Sequence, residues 1–571
     1  MLYLIILLNL TRFIGLNHSP PGFYVDEAAG AAQVLCISQT GADFYGHSLS
    51  LFTPGAGDAF YTPFYIYGQI IWTKIFGYSP AGFRSFLALS TSLSVLFLYL
   101  WVRNKSNPKI ALYVAFSASI MPWAFQFSRI AWDPPLAVLF LVMALWASSL
   151  KKGYWTSGIF LALACYTYSP LRITAILLAL FLPGLQWKKK GLCAIIFSVI
   201  CIPLFLQLLN PEFLARSQSL VLWSPSPSSP FSKANSFELI FIFLQQVWAH
   251  LSPVFLFFKG DANLRHSLPW FGMLSWLDAF AVLIASYFLL RDLTSKAKIT
   301  YLEPTQTRLL LIACLGIVAS IIPAALTNEG IPHALRSIAA WPFFALFTGT
   351  ILYQAQVGIQ KRWFLLVTLC LGLSFFSLYL TRYFRDYPTA SANAFLIGAD
   401  PMELAYKSMH QQGLACQQAI AQKQESAKPL RTPIDQEILF NSRGNGIEYL
   451  RSGWYGPEPW GVWSNGKKAI LDFPINGVHP KQVRLHVKGF ISPTHPKQSI
   501  EIWMDNTLQK SISLNTTTPT SISISIPPNI GAKTNLELIF YISNPISPIQ
   551  AGVSNSDDRM LGIGLISAHL R

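Results

Sequence analysis

Apolar runs recur through the first two thirds of this chain at the length a lipid bilayer demands. A helix needs about 20 apolar residues to cross the hydrocarbon, fewer where a neighbour shields its end. About eleven stretches meet that requirement, near 1–16, 85–102, 110–125, 134–150, 155–169, 171–187, 191–209, 269–290, 308–326, 334–353 and 363–381. Composition agrees: of 571 residues, 52% are hydrophobic and 12% charged, where a soluble domain carries roughly a quarter. The chain reads as a polytopic α-helical membrane protein. Its opening stretch, Met1 to Leu16, lacks a basic n-region and a small-residue cleavage site, and reads as a retained first span.

A formal charge of +16 could suggest a nucleic-acid partner, but the positions of the basic residues exclude it. They cluster between apolar runs: Arg103, Lys105 and Lys109; Lys151 and Lys152; Lys188 to Lys190; Arg291, Lys296 and Lys298; Lys361 and Arg362. Counting crossings from a cytoplasmic N-terminus puts every cluster on the cytoplasmic side, the positive-inside pattern. The same count puts outside the loops 17–84 and 210–268 and everything after Arg382. Within the second loop, 237–258 is apolar, but Gln245, Gln246 and His250 interrupt it. It reads as a helix lying at the outer face rather than a further span.

After Arg382 the texture changes. Residues 386–452 read as a mostly helical connector. From 453 to 571, period-two runs such as Val483-Arg-Leu-His-Val487 and Leu536-Glu-Leu-Ile-Phe540 lie between Gly, Pro and Asn turns. They predict an extracytoplasmic β-sandwich. Trp454, Trp460 and Trp463 at its start could stack on a sugar ring or close the core. Seven cysteines form no zinc-ligand spacing, and only Cys36 and Cys416 lie outside the spans, where a disulfide could join them.

The outer-face ionisable groups are Asp26, Glu27, Asp58, Arg84, Arg129, Asp133, Arg172, Asp261, Arg265, His266, His333 and Arg336. Arginines there run against the positive-inside trend, and charges near hydrocarbon pair or line a polar cavity. Guanidinium forks grip phosphate, and a carboxylate can take a proton from an attacking hydroxyl. Duller roles stand beside these. Asp26 and Glu27 suit a helix N-terminus, Arg129 and Asp133 are spaced as a helix-face pair, and Arg84 and Arg172 could snorkel. A lone His266 or His333 is usually a hydrogen-bonded structural residue.

Four stretches carry a family resemblance: Pro21-Gly-Phe-Tyr-Val-Asp-Glu-Ala28, Pro122-Trp-Ala-Phe-Gln-Phe-Ser-Arg-Ile-Ala-Trp-Asp133, Gly260-Asp-Ala-Asn-Leu-Arg-His266 and Pro332-His-Ala-Leu-Arg336. In this order they resemble the bacterial branch of the dolichyl-phosphate-mannose–protein mannosyltransferases, GT-C membrane glycosyltransferases to which the aminoarabinose transferases are related. The resemblance implies a catalytic domain over 1–385 in the bacterial inner membrane, with the active site and C-terminal domain on the periplasmic side. It implies inverting transfer from a polyprenyl-phosphate sugar to a protein, lipid or glycan hydroxyl. Asp26 would be the base and Glu27 its support. Substrate would be held by Asp133, Arg129, Arg84, Arg172, Arg265, His266, His333 and Arg336. Two acids could also hold a divalent ion such as Mg or Mn. One departure stands out: some relatives place a lysine before the proline in Asp58-Ala-Phe-Tyr-Thr-Pro63, and this chain has none. Two rival functions are a flippase for a lipid-linked sugar and a membrane-anchored carbohydrate-binding protein. A flippase predicts internal repeats and mid-membrane charges, and neither is evident in the sequence.

Overall fold

A computed structural model describes residues 1–43, 47–54, 60–181, 186–209, 211–224, 229–294, 303–359, 362–395, 434–442, 444–475, 480–505, 507–527, 535–554 and 557–571. Asp58 and Cys416 lie outside these residues; Cys36 is disulfide-bonded. The chain forms two compact units, 1–421 and 422–571.

The first unit is helical: α1 Leu2–Leu10, α2 Val25–Thr40, α3 Pro63–Phe76, α4 Pro80–Lys105, α5 Pro108–Ile120, α6 Pro122–Phe127, α7 Pro134–Ser148, α8 Thr156–Thr167, α9 Leu171–Phe181, α10 Trp187–Gln207, α11 Pro211–Leu220, α12 Ser236–Leu251, α13 Trp276–Thr294, α14 Pro304–Ala325, α15 Trp341–Ile359, α16 Arg362–Arg385 and α17 Tyr387–Phe395. A short ladder, β1 Thr53–Pro54 with β2 Phe60–Tyr61, lies in the first long loop.

Among the described residues, six helical stretches are long and apolar enough to cross a membrane: Pro80–Lys105, Trp187–Gln207, Ser236–Phe258, Pro304–Ala325, Ile338–Ile359 and Trp363–Arg385. Leu2–Phe13, Pro108–Ile120, Pro134–Ser148 and Thr156–Thr167 are apolar but shorter. Several expected spans shift at proline or loop positions. The run 110–125 breaks at Met121, which is extended at φ −71° and ψ 124°, because Pro122 has no N–H and restricts the residue before it. The stretch expected to start at 269 is loop until Trp276; Met273 and Leu274 instead donate to the carbonyls of Phe255 and Leu256 at 3.3 and 2.8 Å. The segment 237–258 meets the length and composition of a span. Yet two of its three polar interruptions, Gln246 and His250, are buried, and His250 accepts from the His333 N–H at 3.0 Å.

Helices close on one another through small residues. A methyl group on Gly349 of α15 would stand 2.4 Å from the Val114 nitrogen of α5, so those backbones meet directly, as small residues permit within membranes. The outer faces stay apolar, with Ile195, Val199 and Leu206 of α10 and Phe237, Phe241 and Trp248 of α12 exposed. Such faces suit lipid rather than water.

The second unit contains β3 Glu437–Leu439, β4 Leu450–Ser452, β5 Val462–Trp463, β6 Lys468–Pro474, β7 Gln482–Gly489, β8 Gln498–Met504, β9 Thr507–Leu514, β10 Thr520–Ser525, β11 Asn535–Ile542 and β12 Ile563–Leu570. One sheet runs β10-β7-β12-β3 with β5 also on β12; the other runs β4-β6-β11-β8-β9. Their alternate residues, such as Val483, Leu485 and Val487 of β7 and Leu536, Leu538 and Phe540 of β11, share one buried core. The connector expected over 386–452 is corrected at its end. Residues 387–395 are helical, 396–433 lie outside the described residues, and β3 and β4 already belong to the sheets. Three-residue strands are too short for period two to register in sequence. The tryptophans each make contacts within this unit. Trp463 is buried, the Trp454 indole donates to the Ile470 carbonyl at 2.8 Å, and Lys488 Nζ lies 3.2 Å over the Trp460 ring.

Candidate active site

The two neighbouring acids of the first outer loop have separate environments. Tyr24 is extended, at φ −63° and ψ 156°, and α2 starts at Val25, so both acids fall in its first turn, where the helix dipole favours them. Glu27 turns inward and is fully buried. Its Oε1 accepts from Arg84 Nε at 2.9 Å and from the Ala131 N–H at 2.7 Å. Its Oε2 accepts from Arg84 Nη2 at 2.8 Å and caps the helix through the Tyr24 N–H at 3.1 Å.

Arg84, equally buried, donates from its remaining groups to the carbonyls of Leu16, Pro20 and Gly22 at 2.9, 2.9 and 2.7 Å. All five of its N–H groups are thus engaged. This saturation leaves Arg84, expected to hold substrate, no N–H to offer one, and Glu27 holds the first turn of α2 against Arg84 and Ala131. Arg129 is engaged likewise. It is buried, donates to the carbonyls of Ser19 and Arg12, and stacks among Phe125, Tyr383 and Phe384. It makes no ion pair with Asp133 among the described residues.

Asp26 instead faces a cavity of about 540 Å³, together with Asp133, Arg172, Arg265, His266, His333 and Arg336. Seven of the ten residues expected in the site therefore meet in one place. The aromatic wall includes Tyr24, Tyr61 and Trp132, and Phe52, Phe60 and Phe213 pack together on another side. Ala131 explains part of this convergence: its bond to Glu27 holds the turn that presents Trp132 and Asp133.

The three arginines differ. Arg265 lies flat on Tyr24, its Cζ 3.9 Å from the ring centroid, and its Nε donates to Asn263 at 3.2 Å. Arg172 donates from Nε to the Cys165 carbonyl at 3.3 Å and rests against Phe213. Among the described residues, the terminal amino groups of both have no hydrogen-bond partner. Arg336 is latched: it donates to the Thr327 hydroxyl at 2.8 Å and the Glu329 carbonyl at 3.1 Å, and pairs with the Glu329 carboxylate at 2.9 Å. Sequence reasoning missed Glu329, the Tyr24 stack and Thr62, whose hydroxyl donates to Asp133 Oδ2 at 3.4 Å; only proximity to the motifs could have pointed to them.

Asp261 anchors the histidine side. Its Oδ2 accepts from His266 Nδ1 and the Ala334 N–H, both at 2.8 Å, and its Oδ1 accepts from the Asn263 N–H at 2.8 Å. Burial alone would raise its pKa, but these hydrogen bonds and the His266 charge outweigh burial and hold the carboxyl below the usual range. Burial, with Arg336 and His266 nearby, pushes His333 down to about 2, so its imidazole is neutral.

The ligand atoms of Asp261, His266 and His333 lie within 4.8 Å of one another. One carboxylate with two imidazoles suits a zinc-type ion rather than the all-oxygen set magnesium prefers. A two-acid site built on Asp26 and Glu27 is not available, because Arg84 and two backbone N–H groups occupy the Glu27 oxygens.

No family model and no curated protein matches this chain. Among solved structures, ArnT from Cupriavidus metallidurans bound to undecaprenyl phosphate is 12% identical at a TM-score of 0.41, over 77% of this chain and 82% of that one. The Archaeoglobus fulgidus oligosaccharyltransferase with Zn and sulfate is 15% identical at a TM-score of 0.41, over 70% of this chain and 57% of its own. Arabinosyltransferase EmbB from Mycobacterium smegmatis is 11% identical at a TM-score of 0.27, over 99% of this chain and 64% of its own. The chain thus spans less than two thirds of the last two. At these TM-scores the likenesses carry no functional inference.

Two outcomes follow from the site. Removing one partner of a buried, fully bonded ion pair costs roughly 3–5 kcal/mol, so Arg84→Gln and Glu27→Gln sharply lower the thermal midpoint of purified protein. Arg265→Gln leaves it within a few degrees, and an unchanged midpoint in Arg84→Gln would contradict the pairing.

The second outcome concerns Asp133, where burial pushes the carboxyl up to about 7. The folded state then holds a proton that the unfolded chain has released. Stability falls as pH rises from about 4 to about 7 and stays reduced above that. The midpoint of Asp133→Asn therefore gains on wild type between about pH 4 and about pH 7 and keeps a constant lead above that; parallel profiles would refute the shift.

Proposed function

We propose that this protein is a membrane glycosyltransferase that moves a sugar from a polyprenyl-phosphate donor to an acceptor hydroxyl, with inversion. The observation that carries the reading is the shared cavity. Asp26 faces it beside two arginines, Arg172 and Arg265, whose terminal amino groups have no hydrogen-bond partner among the described residues. A carboxylate and unengaged guanidiniums suit a hydroxyl nucleophile and a phosphate leaving group. The Phe52, Phe60 and Phe213 cluster at the same cavity suits the first isoprene units of a lipid carrier.

In this mechanism Asp26 accepts the acceptor's hydroxyl proton. The oxygen attacks the anomeric carbon from the side opposite the phosphate, and the carbon–oxygen bond to phosphate breaks. Its electron pair stays on the phosphate, whose charge Arg172 and Arg265 stabilise, so no strong general acid is needed. The lysine missing ahead of Pro63 is compensated by these arginines. Asp133, protonated over part of the neutral range, would donate a hydrogen bond to sugar or acceptor. An ion held by Asp261, His266 and His333 would add positive charge beside the leaving group. In this reading the chain crosses the bacterial inner membrane about eleven times, with 237–258 at the outer face. The active site and the C-terminal unit, read as a β-sandwich, stand on the periplasmic side.

The test is transfer from radiolabelled polyprenyl-phosphate sugars to an envelope extract by purified protein. Asp26→Asn should keep its thermal midpoint and lose about 10²–10⁴-fold in rate, the usual worth of a general base. Arg265→Gln should mainly weaken donor binding. Transfer by Asp26→Asn at the wild-type rate would overturn the assignment.

A further inference from the structure

A second cavity, of about 430 Å³, lies in the helical unit and shares no lining residue with the first. Its walls are Phe257, Trp270, Phe271, Trp276 and Leu378, with Arg382 as the one charged member. Trp270 is 78% exposed and Trp276 46%. Trp270 also holds a left-handed backbone at φ 65°, a conformation uncommon outside Gly, Asn and Asp. An indole kept exposed at that backbone cost has no packing purpose within the protein.

Arg382 lies in the last turn of α16. It donates from Nη1 to Asp386 at 2.7 Å, and its Nε–H and second amino group have no partner among the described residues. Asp386 also accepts from Arg385 at 2.7 Å. Two arginines against one carboxylate leave a net positive charge at the rim. Exposed tryptophans and a snorkelling arginine at the end of an apolar helix mark a membrane–water interface.

We infer that this groove binds one anionic glycerophospholipid of the surrounding bilayer, an acyl chain against the aromatic walls and the phosphodiester on Arg382. The volume is that of a small-molecule site, too narrow for a partner helix of about 10 Å diameter. The cationic rim selects a lipid with net negative charge. No acid lines this groove, so it has no base for chemistry on a lipid-linked sugar. Its occupant nevertheless has a bearing on the active site. The hairpin between Phe257 and Trp276 carries Phe271 to the lipid groove and Arg265 and His266 to the catalytic cavity.

The test uses the full chain, purified in detergent, delipidated and titrated with phosphatidylglycerol, with bound lipid counted by native mass spectrometry. Wild type should retain one phosphatidylglycerol ahead of weaker binders. Arg382→Gln should lower that occupancy about tenfold through loss of charge-assisted bonding. Trp270→Asn, which keeps the left-handed backbone while removing the indole, should do the same with an unchanged thermal midpoint. Arg265→Gln should leave it unaltered. Equal occupancy in wild type and both groove variants would overturn the site. Preferential retention of polyprenyl monophosphate, lost in Trp270→Asn, would overturn the occupant and assign the groove to the donor's chain.

Discussion

The buried contact between Glu27 and Arg84 is the constraint on which the active site depends. Neither ion could persist in an apolar interior alone, since the desolvation cost of a charge is large unless it is paired and fully hydrogen-bonded. Here the pair is complete. Arg84 gathers three carbonyls from the 16–22 segment, and Glu27 gathers the first turn of α2 and the N–H of Ala131. One interaction therefore fixes α4, the start of α2 and the turn before α7. Asp26, next in sequence to Glu27, is aimed at the cavity because its neighbour is immobilised.

A second anchor works on the far wall. Asp261 ties His266 to the Ala334 N–H, and so joins the hairpin after 257 to the loop before α15. Of the two acids that organise the site, Glu27 is saturated by four protein donors and Asp261 is fixed by three. The groups left for substrate are Asp26, Asp133 and the ends of Arg172 and Arg265. This division is the preorganisation an electrostatic catalyst requires: fixed dipoles behind, cavity-facing groups in front.

Much of this was legible in the sequence. Hydropathy marked the helical part, period two marked β7 and β11, and the four motifs named most of the cavity's acids, arginines and histidines. Which arginine is structural was not legible. Arg84 and Arg129 resemble Arg172 and Arg265 in spacing and in side of the membrane, and only the backbone carbonyls folded against them separate the classes. The same limit applies to the acid pair. Adjacent helical residues point about 100° apart, and the longer reach of Glu27 becomes meaningful only once Arg84 stands opposite. Proline breaks and three-residue strands displaced boundaries because local geometry, not hydrophobic content, sets them.

The most direct measurement is an experimental structure of the Asp26→Asn variant with an intact polyprenyl-phosphate sugar bound. The account predicts the phosphate between Arg172 and Arg265, the anomeric carbon facing residue 26, and the Glu27–Arg84 pair undisturbed. Phosphate bound to Arg84, or a sugar that leaves residue 26 remote from the anomeric carbon, would contradict it.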